Sequence, residues 1–96
     1  MSISLRELQE LRDVIIDSAS KHRAFNVAVF GSVARGEQRA DSDVDFLVDF
    51  LPNSTLFDEV RLERELTEIL KVKVDLVARA GLKDRDSHIR EEAIAL

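Results

Sequence analysis

Apolar residues recur along this chain with two different periods, and the change from one to the other sets out the elements. Between Ser4 and about His22, Leu5, Leu8, Leu11, Ile15, Ile16 and Ala19 share one face at helical spacing, which predicts an amphipathic helix packed on a sheet. Ser4 and Glu7 have the spacing of a capping box at its start, and His22 is placed to interact with the dipole at its end. Asn26 to Phe30 is a short apolar run with the β-branched content of a buried strand. The second strand, Asp43 to Phe50, alternates, so Asp43 and Asp45 share one face while Val44, Phe46 and Val48 share the other.

Pro52 to Thr55 mark a turn and a helix start, with Asp58 early in a helix that runs to about Leu70. Its apolar positions Leu56, Val60, Leu62, Leu66, Ile69 and Leu70 cover a wider arc than one sheet face requires, and Glu63 falls inside that arc. Two readings stay open: a core helix with an exposed edge, or a helix that meets another protein. Lys71 to Val77 alternates as a third strand, with Val72, Val74 and Leu76 on one face and Lys73, Asp75 and Val77 on the other. Asp84 to Ala95 is charged, with Ile89, Ala93 and Ile94 as a narrow stripe, and is read as a short C-terminal helix carrying His88 at its surface. Together these predict a small α/β domain in the order αβαβαβα, a mixed sheet of three or four strands with helices on it. No strand is read after the last helix, which leaves the far edge of the sheet and its contacts open.

At 96 residues the chain is read as one domain, 1–96, too small for a second substrate-binding lobe. Nineteen acids against 14 bases give a formal charge of −5, which disfavours a protein that grips nucleic acid by a basic surface. There is no cysteine, hence no disulfide or thiolate metal site, and no membrane-length apolar run or export signal is read; the expected location is cytoplasmic.

The chemistry is concentrated between Phe30 and Asp45, which holds two of the three glycines. Gly31, at the end of a strand, allows an anion close to the backbone, and Ser32 is placed to cap a turn from Val33 to Arg35 whose free N–H groups point at the same place: a recipe for holding phosphate. Ten residues separate Ser32 from Asp43, and the carboxylates of Asp43 and Asp45 converge on one strand face. Such a pair repels unless a cation sits between, and hard oxygen ligands beside phosphate point to magnesium. Asp75, among valines and a leucine in mid-strand, also needs a partner. That partner is either Lys73 on the same face or the same metal, since the intervening helix lets the second and third strands lie near each other in one sheet.

The combination of Gly31-Ser32, Ala34-Arg35-Gly36 and Asp43-Val44-Asp45 at this spacing resembles the signature of the nucleotidyltransferase superfamily that includes DNA polymerase β. More narrowly, it is similar to the minimal nucleotidyltransferases, the small partners of HEPN-domain proteins in prokaryotic toxin–antitoxin pairs. The resemblance covers about Asn26 to Val77 and extends to Asp75, which matches the family's third carboxylate. It implies that Gly31, Ser32 and Arg35 bind the triphosphate of ATP, and that Asp43, Asp45 and Asp75 hold two Mg²⁺ ions, with Asp75 helping to deprotonate the attacking hydroxyl. It implies transfer of AMP from ATP to a hydroxyl, a tyrosine for preference, of a HEPN ribonuclease toxin, in a hetero-oligomer with that toxin and without direct nucleic-acid binding. Two alternatives stand beside this one: adenylylation of a small molecule such as an aminoglycoside, and neutralisation of the toxin by binding alone.

Overall fold

The computed structural model describes residues 3–96, so the first two residues of the predicted unit lie outside the described part. Helices α1 (Leu5–Glu10) and α2 (Arg12–Lys21) lead into strand β1 (Ala24–Phe30), the short helix α3 (Gly31–Arg35) and strand β2 (Val44–Phe50). Helix α4 (Leu56–Leu70), strand β3 (Val74–Ala78), two 3₁₀ turns, helix α5 (Ser87–Glu92) and strand β4 (Ile94–Ala95) complete the order. No helix among the described residues is long and apolar enough to cross a membrane.

The four strands form one mixed sheet in the order β3-β2-β1-β4. β1 is antiparallel to both β2 and β4, whereas β2 and β3 run parallel, a pairing that requires a crossover, supplied here by α4. The register of the parallel pair sets Asp45 opposite Asp75, and the antiparallel register sets Phe30 opposite Asp45. One sheet face is covered by α1, α2 and α4: Leu8, Ile15 and Ala19 meet Leu62, Leu66 and Leu70 over Val29, Val44, Phe46, Val48 and Val74. The other face carries a smaller cluster of Ala28, Phe30 and Leu47, covered by Leu82, Ile89 and Ala93. The strand alternation read from the sequence is therefore correct, with Asp43 and Asp45 on the smaller cluster's side. Truncating Leu62 or Leu66, both essentially inaccessible, to Ala would cost about 2–5 kcal/mol.

The structure corrects the sequence reading in four places. The first helix is interrupted at Leu11, whose φ of −92° and ψ of 9° bend the chain. The bend breaks no ladder, because the Leu11 N–H still donates to Glu7 and its carbonyl still accepts from Ile15. β3 begins at Val74 rather than Lys71, since Lys71 ends α4 in the left-handed conformation with φ of 57°. The C-terminal helix stops at Glu92, and Ile94 belongs to a fourth strand, not read in the sequence, that pairs with β1 at the sheet edge left open there. Within β1, Asn26 has a φ of 52° at a register shift, and this bulge puts Ala24 and Val27 on the same face although they lie three positions apart.

His22 caps α2, but its ring reaches across to α4: Nε2 lies 2.6 Å from Glu65 Oε2, and Lys21 Nζ lies 2.7 Å from Glu65 Oε1. The Lys21 and His22 side chains hold the Glu65 carboxyl down at about 2. On α4, Thr55 and Asp58 complete a reciprocal capping box. The wide apolar arc divides, with Leu62, Leu66 and Leu70 in the core while Leu56 and Val60, together with Phe57, are exposed.

Candidate active site

The three aspartates and the glycine loop meet at one end of the sheet. β1 runs into α3 without a linker, so Gly31 is the first residue of the helix, with a φ of +75° that favours glycine. The glycine is needed on its side-chain side too, because a Cβ there would run into Oδ2 of Asp45. The sequence reading placed an anion against this glycine; the structure puts the protein's own Asp45 carboxylate there. Ser32 is the second residue of α3 rather than its cap, which is Phe30 and makes no side-chain cap.

Asp45, the second residue of β2, is half-buried and carries the strongest electrostatic perturbation of the site. Burial pushes its carboxyl from the ordinary 3.8 up to about 6, reinforced by the neighbouring Asp75 carboxylate and by Asp43, against a smaller opposing pull from Arg35. Asp43, immediately before β2, has its own counter-ion: Lys73 Nζ is 3.7 Å from Asp43 Oδ2. Lys73 was one of the two partners the sequence offered for Asp75, but the register sets it beside Asp43, two residues before the Asp45–Asp75 pair, where the Lys73 carbonyl accepts from the Val44 N–H. Among the described residues no three acidic or histidine side chains are already set in metal-ligating geometry. The donors converging here are nonetheless all carboxylate oxygens, a set suited to a hard cation such as Mg²⁺, and a carboxyl pushed up by its neighbours is what a cation between them would relieve.

Arg35, at the end of α3, is close by but already engaged. Its Nη1 donates to both carboxylate oxygens of Glu92, at 3.2 and 3.0 Å, and its Nε donates to Glu37 at 3.2 Å. The Gly31 N–H donates to Glu92 Oε1 at 3.0 Å. Although partial burial pushes the Glu92 carboxyl up, the Gly31 N–H and the Arg35 guanidinium together hold it below its ordinary value. Glu92 was not singled out in the sequence: it sits 61 residues from Gly31 in a charged run, where no local periodicity distinguishes it from Glu91. A groove of about 690 Å³ lies toward the opposite end of the strands, between α2, the start of β1 and Leu96, and contains none of the three aspartates.

A family model described as nucleotidyltransferase domain matches residues 8–96, nearly the whole chain. The chain belongs to this nucleotidyltransferase family. A solved structure provisionally described as a minimal nucleotidyltransferase superposes on it with a TM-score of 0.86 at 43% identity, covering 98% of this chain and 97% of the other. A protein of Methanocaldococcus jannaschii provisionally named a protein adenylyltransferase is 40% identical over 82 residues, 81% of this chain and 88% of its own. The protein adenylyltransferase MntA of Thermococcus cleftensis is 47% identical over 57 residues, 59% of this chain and 58% of its own. A crystal structure of a toxin–antitoxin with AMP-PNP shares the fold, with a TM-score of 0.73 at 21% identity over 86% of this chain and 69% of the other. The predicted fold class, a small mixed sheet flanked by helices as in minimal nucleotidyltransferases, and the predicted enzyme class are thereby borne out.

Proposed function

We propose that this nucleotidyltransferase moves AMP from ATP onto a hydroxyl of a protein, and that the acceptor is a toxin of the HEPN ribonuclease type, modified on tyrosine in the cytoplasm. The observation that carries this reading is the pairing of Asp45 with Asp75 across two parallel strands, next to a corner at Gly31 and Arg35 whose donors bind an anionic group. Asp43, Asp45 and Asp75 are the residues that would hold Mg²⁺, as two ions. Bound there, Mg²⁺ lowers the pKa of the attacking hydroxyl and offsets charge on the leaving pyrophosphate. Gly31, Ser32 and Arg35 orient the triphosphate so that the acceptor oxygen bonds to the α-phosphorus as the bond from that phosphorus to the pyrophosphate oxygen breaks. Asp75 takes the proton that the hydroxyl loses.

The names of the M. jannaschii and T. cleftensis relatives support a protein acceptor, and the toxin–antitoxin complex with AMP-PNP supports ATP as the donor. The acceptor protein's own surface would help to position its hydroxyl at the three aspartates. Leu56, Phe57 and Val60, exposed together at the start of α4, lie toward the end of the sheet away from the aspartates, and we assign to them docking of the body of the acceptor rather than of its hydroxyl. AMP on the toxin adds negative charge where RNA phosphates must bind, which suffices to block a ribonuclease. The test is incubation of a co-purified toxin with this protein, Mg²⁺ and ATP labelled at either the α- or the γ-phosphate. Label should pass to the toxin from the α position alone. Neutralisation without α-label, retained by Asp45→Asn, would replace this reading with binding alone.

A further inference from the structure

The corner that would receive the triphosphate already holds an anion, supplied by the chain itself. Glu92 ends α5, and its carboxylate accepts from the Gly31 N–H through Oε1 and from Arg35 Nη1 through both oxygens, with contacts of 3.0–3.2 Å. A planar anion held by a backbone N–H and a guanidinium is the arrangement in which two phosphate oxygens are bound, so the carboxylate occupies donors of the kind a phosphate would use. The arm that brings it is free to leave. The Glu92 side chain keeps 22% of its surface exposed, while α5 is anchored separately by Ile89 and Ala93 on the smaller core and by β4 on the sheet edge. Arg35 also has a second carboxylate, Glu37, to keep it in place when the first departs.

We propose that Glu92 is a resident anion on the triphosphate donors, exchanged for phosphate when nucleotide binds, and that this exchange selects triphosphates over smaller anions. The inference rests on the nucleotide reading of the site given above. A tethered carboxylate competes at the high effective concentration of an intramolecular group, so inorganic phosphate or a nucleoside monophosphate, which gains only the contacts that Glu92 gives up, does not displace it. A triphosphate makes further contacts along the loop and prevails. Glu92 also keeps the Gly31 N–H and the Arg35 charge satisfied while no nucleotide is bound.

The experiment is calorimetric titration of the full chain and of Glu92→Gln, in EDTA, with inorganic phosphate and with tripolyphosphate. Glutamine keeps an acceptor for the Gly31 N–H but removes the competing charge, so tripolyphosphate should bind about tenfold more tightly and inorganic phosphate should become detectable. Unchanged or weaker binding by the variant, with the unmodified chain still binding, would show that Glu92 positions Arg35 rather than competing for it and would overturn this inference alone. Binding of tripolyphosphate by neither protein, in EDTA or with Mg²⁺ added, would remove the nucleotide reading and this one with it. Should Glu92→Gln fail to fold, the unmodified chain gives its own answer by NMR: the Gly31 amide proton should move as tripolyphosphate replaces the carboxylate, and a fixed shift at saturation would overturn the exchange.

Discussion

Replacing Asp45 by asparagine should stabilise the metal-free protein while abolishing transfer. The folded chain holds the Asp45 proton up to about 6, whereas the unfolded chain releases it near the ordinary 3.8. Because the folded state binds the proton more tightly, ionisation costs stability as pH rises from about 4 to 6, and the cost is fully present above 6. A raise of that size corresponds to about 3 kcal/mol at most, and partial exposure of the carboxylate reduces it to ~1–2 kcal/mol. Asparagine has the same shape and no charge to desolvate. At pH 7.5 in EDTA it should therefore raise the melting temperature by roughly 5–10 °C for a domain of this size, and at pH 4 the gain should vanish. Asp43→Asn is the internal control: Asp43 has Lys73 at 3.7 Å, so the substitution relieves repulsion but loses an ion pair and should give no comparable gain. Added Mg²⁺ should raise the melting temperature of the unmodified protein and leave Asp45→Asn unmoved. The measurement is thermal unfolding followed by circular dichroism. An Asp45→Asn protein that melts at or below the unmodified one at pH 7.5 would mean that the carboxylate is structurally satisfied, and the argument for a cation site would collapse.

Gly31→Ala should lose about 2–4 kcal/mol, from the left-handed backbone at +75° and from a methyl group driven against Asp45, read as a lower urea midpoint. Glu65→Gln should destabilise at neutral pH, because Lys21 and His22 hold the native carboxyl near 2. That contribution is present above about 4.5 and lost as pH falls toward 2, so the melting curves of the two proteins should converge in acid. Phe57→Glu, at a position 70% exposed, should leave stability within about 0.5 kcal/mol of the unmodified protein and reduce AMP transfer to a protein acceptor, seen by mass spectrometry of the acceptor; full transfer would remove α4 from the docking surface.

The sheet and its three carboxylates were legible because each depends on a local period. Alternation alone puts Asp43 and Asp45 on one face and Val44, Phe46 and Val48 on the other, and a helix of suitable length between two strands implies that Asp75 comes alongside. What local pattern could not supply is who answers each charge. Lys73 could be assigned to the same face as Asp75, but only the register shows that it pairs with Asp43. Glu92 meets Gly31 across 61 residues, a contact set by the path of the chain after β3 and not by any spacing. The fourth strand was missed for a similar reason: Ile94 continues the stripe of Ile89 and Ala93, and the turn at Ala93 that converts it into a strand residue is imposed by the open edge of β1.

That two-residue strand also bears on how the protein stays apart from its own copies. β1 reads Ala-Phe-Asn-Val-Ala-Val-Phe, seven residues without a charge and rich in β-formers, the composition of a segment that pairs readily with its like. One flank is sealed by the long β2. The other is closed by Ile94 and Ala95 and by the Leu96 N–H donating to the Val27 carbonyl. So brief a cover is held by few bonds, and its fraying would open a bare strand edge to a neighbouring molecule. Ile94, Ala95 and Leu96 thus act as a guard against self-association, and changes there would show first as loss of colloidal stability at high concentration, before any loss of the fold.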